Sequence, residues 1–117
     1  MIPSDWQPVH REDGELVGYL AGGAPVTRVG LPLTSGTLEE RGLAELDGRW
    51  QCRLPNPLPM EGLDAETPAP DWDWRYVVIT ETSPMECRIR LYMAYPEEMR
   101  SWATLPVPVG TLLRREP

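Results

Sequence analysis

Apolar and polar residues alternate with a period of two along several stretches of the chain, which predicts half-buried β-strands rather than helices. In residues 49–54, Trp50, Cys52 and Leu54 alternate with Arg49, Gln51 and Arg53. In 86–95, Cys87, Ile89, Leu91, Met93 and Tyr95 alternate with Arg88, Arg90 and Tyr92. Residues 75–82 read as a further strand, joined to 86–95 by a turn through Ser83-Pro84. Together these two make a long C-terminal hairpin.

The N-terminal third predicts a meander. Asp13-Gly14 is a tight-turn dipeptide between 9–11 and 15–20, and Gly22-Gly23 supplies a second turn before 26–31. Leu16, Gly18 and Leu20 point one way and Val17 and Tyr19 the other, so this middle strand is expected to be covered on both sides. Gly18 weakens a strand and marks a bulge or a close approach. Thr37-Leu38-Glu39-Glu40 has the pattern of a capping box and opens a helix of about nine residues. Leu38, Leu43 and Leu46 share its inward face, Asp47-Gly48 ends it, and Gly42 makes it depend on tertiary contacts.

Three shorter elements complete the C-terminal half. Pro96 starts one helical turn over 96–100. In 105–109 apolar residues alternate with prolines, which suits an edge strand or polyproline segment but not a central strand. A short strand closes the chain at 111–114. The predicted fold is α+β and mainly β: a compact antiparallel sheet with an N-terminal meander, one short helix and a long hairpin. Residues 1–117 form one domain, as the length suggests.

Residues 55–74 (PNPLPMEGLDAETPAPDWDW) break this pattern. They hold five of the fourteen prolines, two of the five tryptophans and five carboxylates, with no basic residue. The segment carries −5 of the formal charge of −7. Irregular loops longer than about 12–15 residues are uncommon in compact domains and usually bind, cover a site or lack order.

All eleven basic residues are arginine, a bias that resembles GC-rich bacterial coding. Arginine clamps carboxylates and phosphates with paired hydrogen bonds and stacks on rings, which lysine does not. The acidic balance, without an arginine-rich run, disfavours nonspecific nucleic-acid binding. No apolar run approaches the roughly 18 residues that span a bilayer. The opening MIPSDWQPVHRED has no secretory pattern, so a cytoplasmic protein without membrane contact is expected.

Residues 6–20, Trp6-x-Pro8-Val9-x-Arg11-x-Asp13-Gly14-Glu15-Leu16-Val17-Gly18-Tyr19-Leu20, resemble the opening of small actinobacterial proteins of uncharacterised function. Leu38-Glu39-Glu40-Arg41-Gly42-Leu43-Ala44 and Trp50 resemble their middle. The resemblance covers roughly residues 6–50, rests on a turn, a strand and a short helix, and implies no activity.

Catalytic chemistry finds little support. His10, the one histidine, is near Asp5, Glu12 and Asp13 and reads as a flank of the first hairpin. No nucleophile elbow or phosphate-binding loop is present. Two cysteines and one histidine are too few for a closed four-ligand zinc site, and Cys52 and Cys87 read as buried free thiols. Asp71 and Asp73 alone are a weak calcium or magnesium signal. The adjacent acids Glu39/Glu40 and Glu97/Glu98 read as complements to helix N-termini. No cofactor or metal is expected, and the balance leans away from an enzyme.

The recognition reading is stronger. In an extended Asp71-Trp72-Asp73-Trp74 both carboxylates face one way and both indoles the other. With Asp64 and Glu66, this suits a non-catalytic protein-interaction module that binds a partner with a basic surface. Arg49, Arg53, Arg88 and Arg90 fall on polar strand faces and would form an anion-binding stripe, or hold the acidic loop, if their strands share a sheet. The alternative is a small-ligand binder or enzyme with 55–74 as a lid over a pocket against the sheet.

Overall fold

The computed structural model describes residues 1–41, 47–59 and 62–115. It is mainly β with one short helix, as predicted, but its strands form two sheets. The first is the antiparallel meander β1 (Trp6–His10), β2 (Leu16–Ala21) and β3 (Ala24–Thr27). At the β1–β2 turn Asp13 accepts the Glu15 amide at 3.0 Å and pairs with Arg11 at 2.7 Å, and both contacts hold its carboxyl below the ordinary range. Pro8 and Pro25 lie on the two edge strands, where a missing amide donor is tolerated.

The middle strand is covered on both sides where expected, with Val17 and Tyr19 buried on one face and Gly18 on the other. A Cβ on Gly18 would collide with the Val26 carbonyl and the Leu38 side chain, and the β1–β2 register shifts beside it. Both readings of this glycine, bulge and close approach, therefore hold. Leu38 belongs to α1 (Leu38–Arg41), whose Thr37 hydroxyl accepts the Glu40 amide at 3.2 Å. Gly42, Leu43 and Leu46 of the predicted helix lie outside the described residues.

The third strand differs from the expected 26–31. It begins at Ala24 and stops at Thr27, because the chain folds back there. The Gly30 amide donates to the Thr27 carbonyl, and the Leu31 amide to the Thr27 hydroxyl at 3.2 Å. Gly30 makes the turn at a φ of +90°, in contact with Pro108, and the Val109 amide donates to Val29 at 2.9 Å. This turn ties the meander to the larger sheet.

That sheet has the order β5-β8-β7-β6-β4-β9, from β4 (Trp50–Leu54), β5 (Leu63–Asp64), β6 (Asp73–Thr82), β7 (Glu86–Leu91), β8 (Ala103–Pro106) and β9 (Leu113–Arg115). Every pair is antiparallel except β5–β8, a correction to a purely antiparallel sheet. Its inner face carries Trp50, Cys52, Leu54, Val77, Ile89 and Leu105, all buried in one cluster with Val29, Leu58, Val107 and Val109. Cys52 and Cys87 are buried on this face and share no disulfide, and burial pushes the Cys52 thiol up to about 12.

Several boundaries in the larger sheet differ from the sequence reading. Residues 55–74 are not wholly irregular: β5 lies within them, Asp73 and Trp74 begin β6, and Leu58 and Ala65 are buried. The predicted strand 86–95 ends at Leu91, and Met93 and Tyr95 are exposed rather than on the apolar face. Only the Tyr92 amide continues the ladder, to Tyr76, before Pro96 opens a 3-10 turn, Pro96–Glu98. The 105–109 strand starts earlier, at Ala103, and has neighbours on both sides. Its partner β5 reaches only Ala103 and Thr104, so the donor-less Pro106 faces β7 alone. The last strand is shifted by two residues at its start, to Leu113.

Candidate functional site

Residues that alternate with the core cluster emerge on the outer face of the six-stranded sheet. Register places Arg114, Gln51 and Tyr76 in one row across β9, β4 and β6, and Arg53 beside Trp74 in the next. Arg90 lies opposite Val78, and Arg88 between Glu81 and Thr104. Trp74, Tyr76 and Tyr92 are 36%, 42% and 46% exposed, so an aromatic patch faces solvent.

Arginines cover these rings. The Arg114 guanidinium lies 3.8 Å from the Trp74 ring while its Nε donates to Gln51 at 2.8 Å. Arg49 lies over both Tyr92 and Tyr76, at 5.0 and 5.6 Å, and Arg88 over Trp102 at 4.1 Å. Such stacks contribute about 0.5–1 kcal/mol each at exposed sites.

The predicted arginine stripe is thus resolved into something different. Arg53, Arg88 and Arg90 lie in one sheet, with Arg49 immediately before β4, but β6 runs between β4 and β7 and inserts its aromatic residues among the cations. Among the described residues, Asp64, Glu66, Asp71 and Asp73 have no arginine partner. Arg53 instead takes the Trp72 carbonyl at 3.4 Å. Asp64 accepts the Glu66 amide at 2.9 Å in a local turn.

No family model, curated protein or solved structure matches this chain. The functional reading rests on the side chains alone.

The two tryptophans of the segment part company. Trp72 is half-buried against the core cluster, whereas Trp74 stands on the outer face, so the expected pairing of both indoles on one side does not occur. Asp71 and Asp73 are exposed at the same corner. His10 is exposed in the smaller sheet while both cysteines are buried in the larger one, so no His–Cys dyad forms. Among the described residues no three His, Cys, Asp or Glu side chains group as metal ligands, and no helix is long and apolar enough to cross a membrane.

One polar centre escaped the sequence reading. The buried Glu98 carboxylate takes two hydrogen bonds from Arg75, at 2.6 and 3.0 Å, and accepts the amides of Leu58 and Tyr95. Arg75 also reaches the Pro55 carbonyl, and the Ser101 hydroxyl reaches that of Leu58. The Arg75 guanidinium, followed by the Leu58 and Tyr95 amides, holds the Glu98 carboxyl down at about 2. Glu98 is therefore no mere complement to a helix end. It pins the start of the acidic segment to β6 and to the 3-10 turn. The signal was Arg75 itself, in phase with Val77 and Ile79.

Proposed function

We propose that the protein is a small non-catalytic protein-interaction module. It docks a partner at the exit of the acidic segment, Asp71, Asp73 and Trp74, and on the aromatic face that continues from Trp74 to Tyr76 and Tyr92. The observation that carries this reading is the contrast between Trp72, which serves the core, and Trp74, which lies at the surface beside two carboxylates that have no arginine partner among the described residues. A basic residue of the partner satisfies those carboxylates, and Arg114, whose Nε holds Gln51, offers its other donors to the partner's carbonyls and acids. Aromatic and arginine side chains dominate the energy of protein interfaces, which supports Trp74 as the anchor. A cytoplasmic setting suits two cysteines that share no disulfide.

The test is affinity capture from the source organism with a photo-crosslinking residue at position 76. The wild type is compared with a chain carrying Asp71→Asn, Asp73→Asn and Trp74→Ala. Loss of a crosslinked protein with an unchanged fold supports the proposal. Retention of every co-purifying protein by the folded variant overturns it.

A further inference from the structure

On a different part of the molecule, a cavity of about 510 Å³ opens between residues 31–35 and the edge of the larger sheet. It exists because the Thr27–Leu31 turn is clamped to Pro108 and Val109, which leads the following residues past Trp50 and β9. Its volume falls within the roughly 300–1,000 Å³ of small-molecule sites. Leu31, Pro32 and Leu33 make an apolar wall, and Thr34 and Ser35 bring hydroxyls.

Two arginines enter the same cavity, Arg41 from α1 and Arg115 from β9. The Arg115 guanidinium carbon lies over the Trp50 ring, 4.0 Å from its centroid, and the side chain donates to the Asp47 carbonyl at 3.5 Å. Arg41 donates to the Ser35 hydroxyl at 3.3 Å. No carboxylate is among the described lining residues, and neither arginine has an ion pair among the described residues. Elsewhere Arg11, Arg28, Arg75 and Arg88 each have an acid within reach.

From this convergence we infer that the cavity binds a small organic anion. Its oxyanion head, a carboxylate or a phosphate monoester, sits between Arg41 and Arg115, and its planar or apolar body lies on the leucine–proline wall. Guanidiniums pair with either head group through two parallel hydrogen bonds. The contacts with Trp50 and the Asp47 carbonyl hold the Arg115 side chain in place in advance, which lowers the ordering needed on binding. This site is separate from the aromatic face and independent of the partner proposed for it.

The experiment is calorimetric titration of the full chain with 1-naphthoate, 1-naphthyl phosphate and neutral 1-naphthamide. At least one of the two anions should bind saturably at one site, and the amide at least tenfold more weakly. The tighter anion identifies the head group. Arg41→Gln, on the exposed helix, should weaken that anion at least fivefold, and the double variant with Arg115→Gln should lose the preference for charge. Arg90→Gln on the distant outer face should change nothing. Absence of saturable anion binding below millimolar concentration, equal affinity for the amide, or unchanged binding by the folded Arg41→Gln chain would each overturn the inference.

Discussion

Both faces of the six-stranded sheet carry arginine, and they engage it differently. On the inner face Arg75 meets a fully buried carboxylate head-on, with Glu98 also bound by two backbone amides. On the outer face Arg49, Arg88 and Arg114 lie against aromatic rings. The difference follows from water. A cation in the core must be neutralised by a matched anion, since an unpaired buried charge is strongly unfavourable. A cation at the surface stays hydrated and needs only a flat surface to rest on. The inner arginine therefore has its guanidinium committed to a buried carboxylate, whereas the outer ones rest on rings, with Arg114 also holding Gln51 and Arg88 also near Glu81.

The largest expected effect attacks the inner side of this contrast. Glu98→Gln leaves Arg75 without its counter-charge and should lower the unfolding free energy by about 3–5 kcal/mol in urea titration. Replacing both partners, Arg75→Met with Glu98→Leu, should recover much of that loss, because the desolvated charges go together. A single variant as stable as wild type would remove the distinction between the faces.

Acid should reveal the same pair. The Glu98 carboxyl is at about 2 in the folded chain against an ordinary 4.5. Its depressed folded value means that its contribution is complete above 4.5 and is lost as the pH falls through 2. Thermal melts between these limits should show a steeper decline with acid than those of the Glu98→Gln chain, which keeps only the other carboxylates such as Asp13. The two should run parallel above 4.5.

A middle-sized effect separates the tryptophans. Trp72→Ala should cost roughly 2–3 kcal/mol, less than a fully buried aromatic, because the indole covers the core only in part. Trp74→Ala should cost about 1 kcal/mol or less, since it loses little more than the Arg114 stack. Reversal of this order in chemical denaturation would move the recognition surface to Trp72.

The smallest effect lies on the outer face. Arg114→Gln should change stability by less than about 1 kcal/mol while making Trp74 more accessible to acrylamide quenching. If quenching is unchanged, the guanidinium does not cover the ring in solution.

Much of the fold was legible because it is written locally. The alternation in 49–54 and 86–91 separates inner from outer residues whatever the neighbouring strand, and Asp13-Gly14 and Ser83-Pro84 turn the chain by their own geometry. The failures were also local readings carried too far. Tyr95 was in phase with Leu91, but the ladder that would have kept it inward had already ended.

The sequence by itself determined that this chain is mainly β, where its Asp13-Gly14, Gly22-Gly23 and Ser83-Pro84 turns fall, and which positions of 50–54 and 86–91 point toward a core. Its acidic, proline-rich segment and its arginines were equally plain. Tertiary structure alone decided their partners. Strand order brings Arg114 to Trp74 and Arg49 to Tyr76 and Tyr92, and seats Glu98 beneath Arg75. It also leads Arg41 and Arg115 into one cavity from opposite parts of the chain. Periodicity reports which side of a strand a residue occupies, but the identity of its neighbour depends on contacts between segments that pattern alone does not pair.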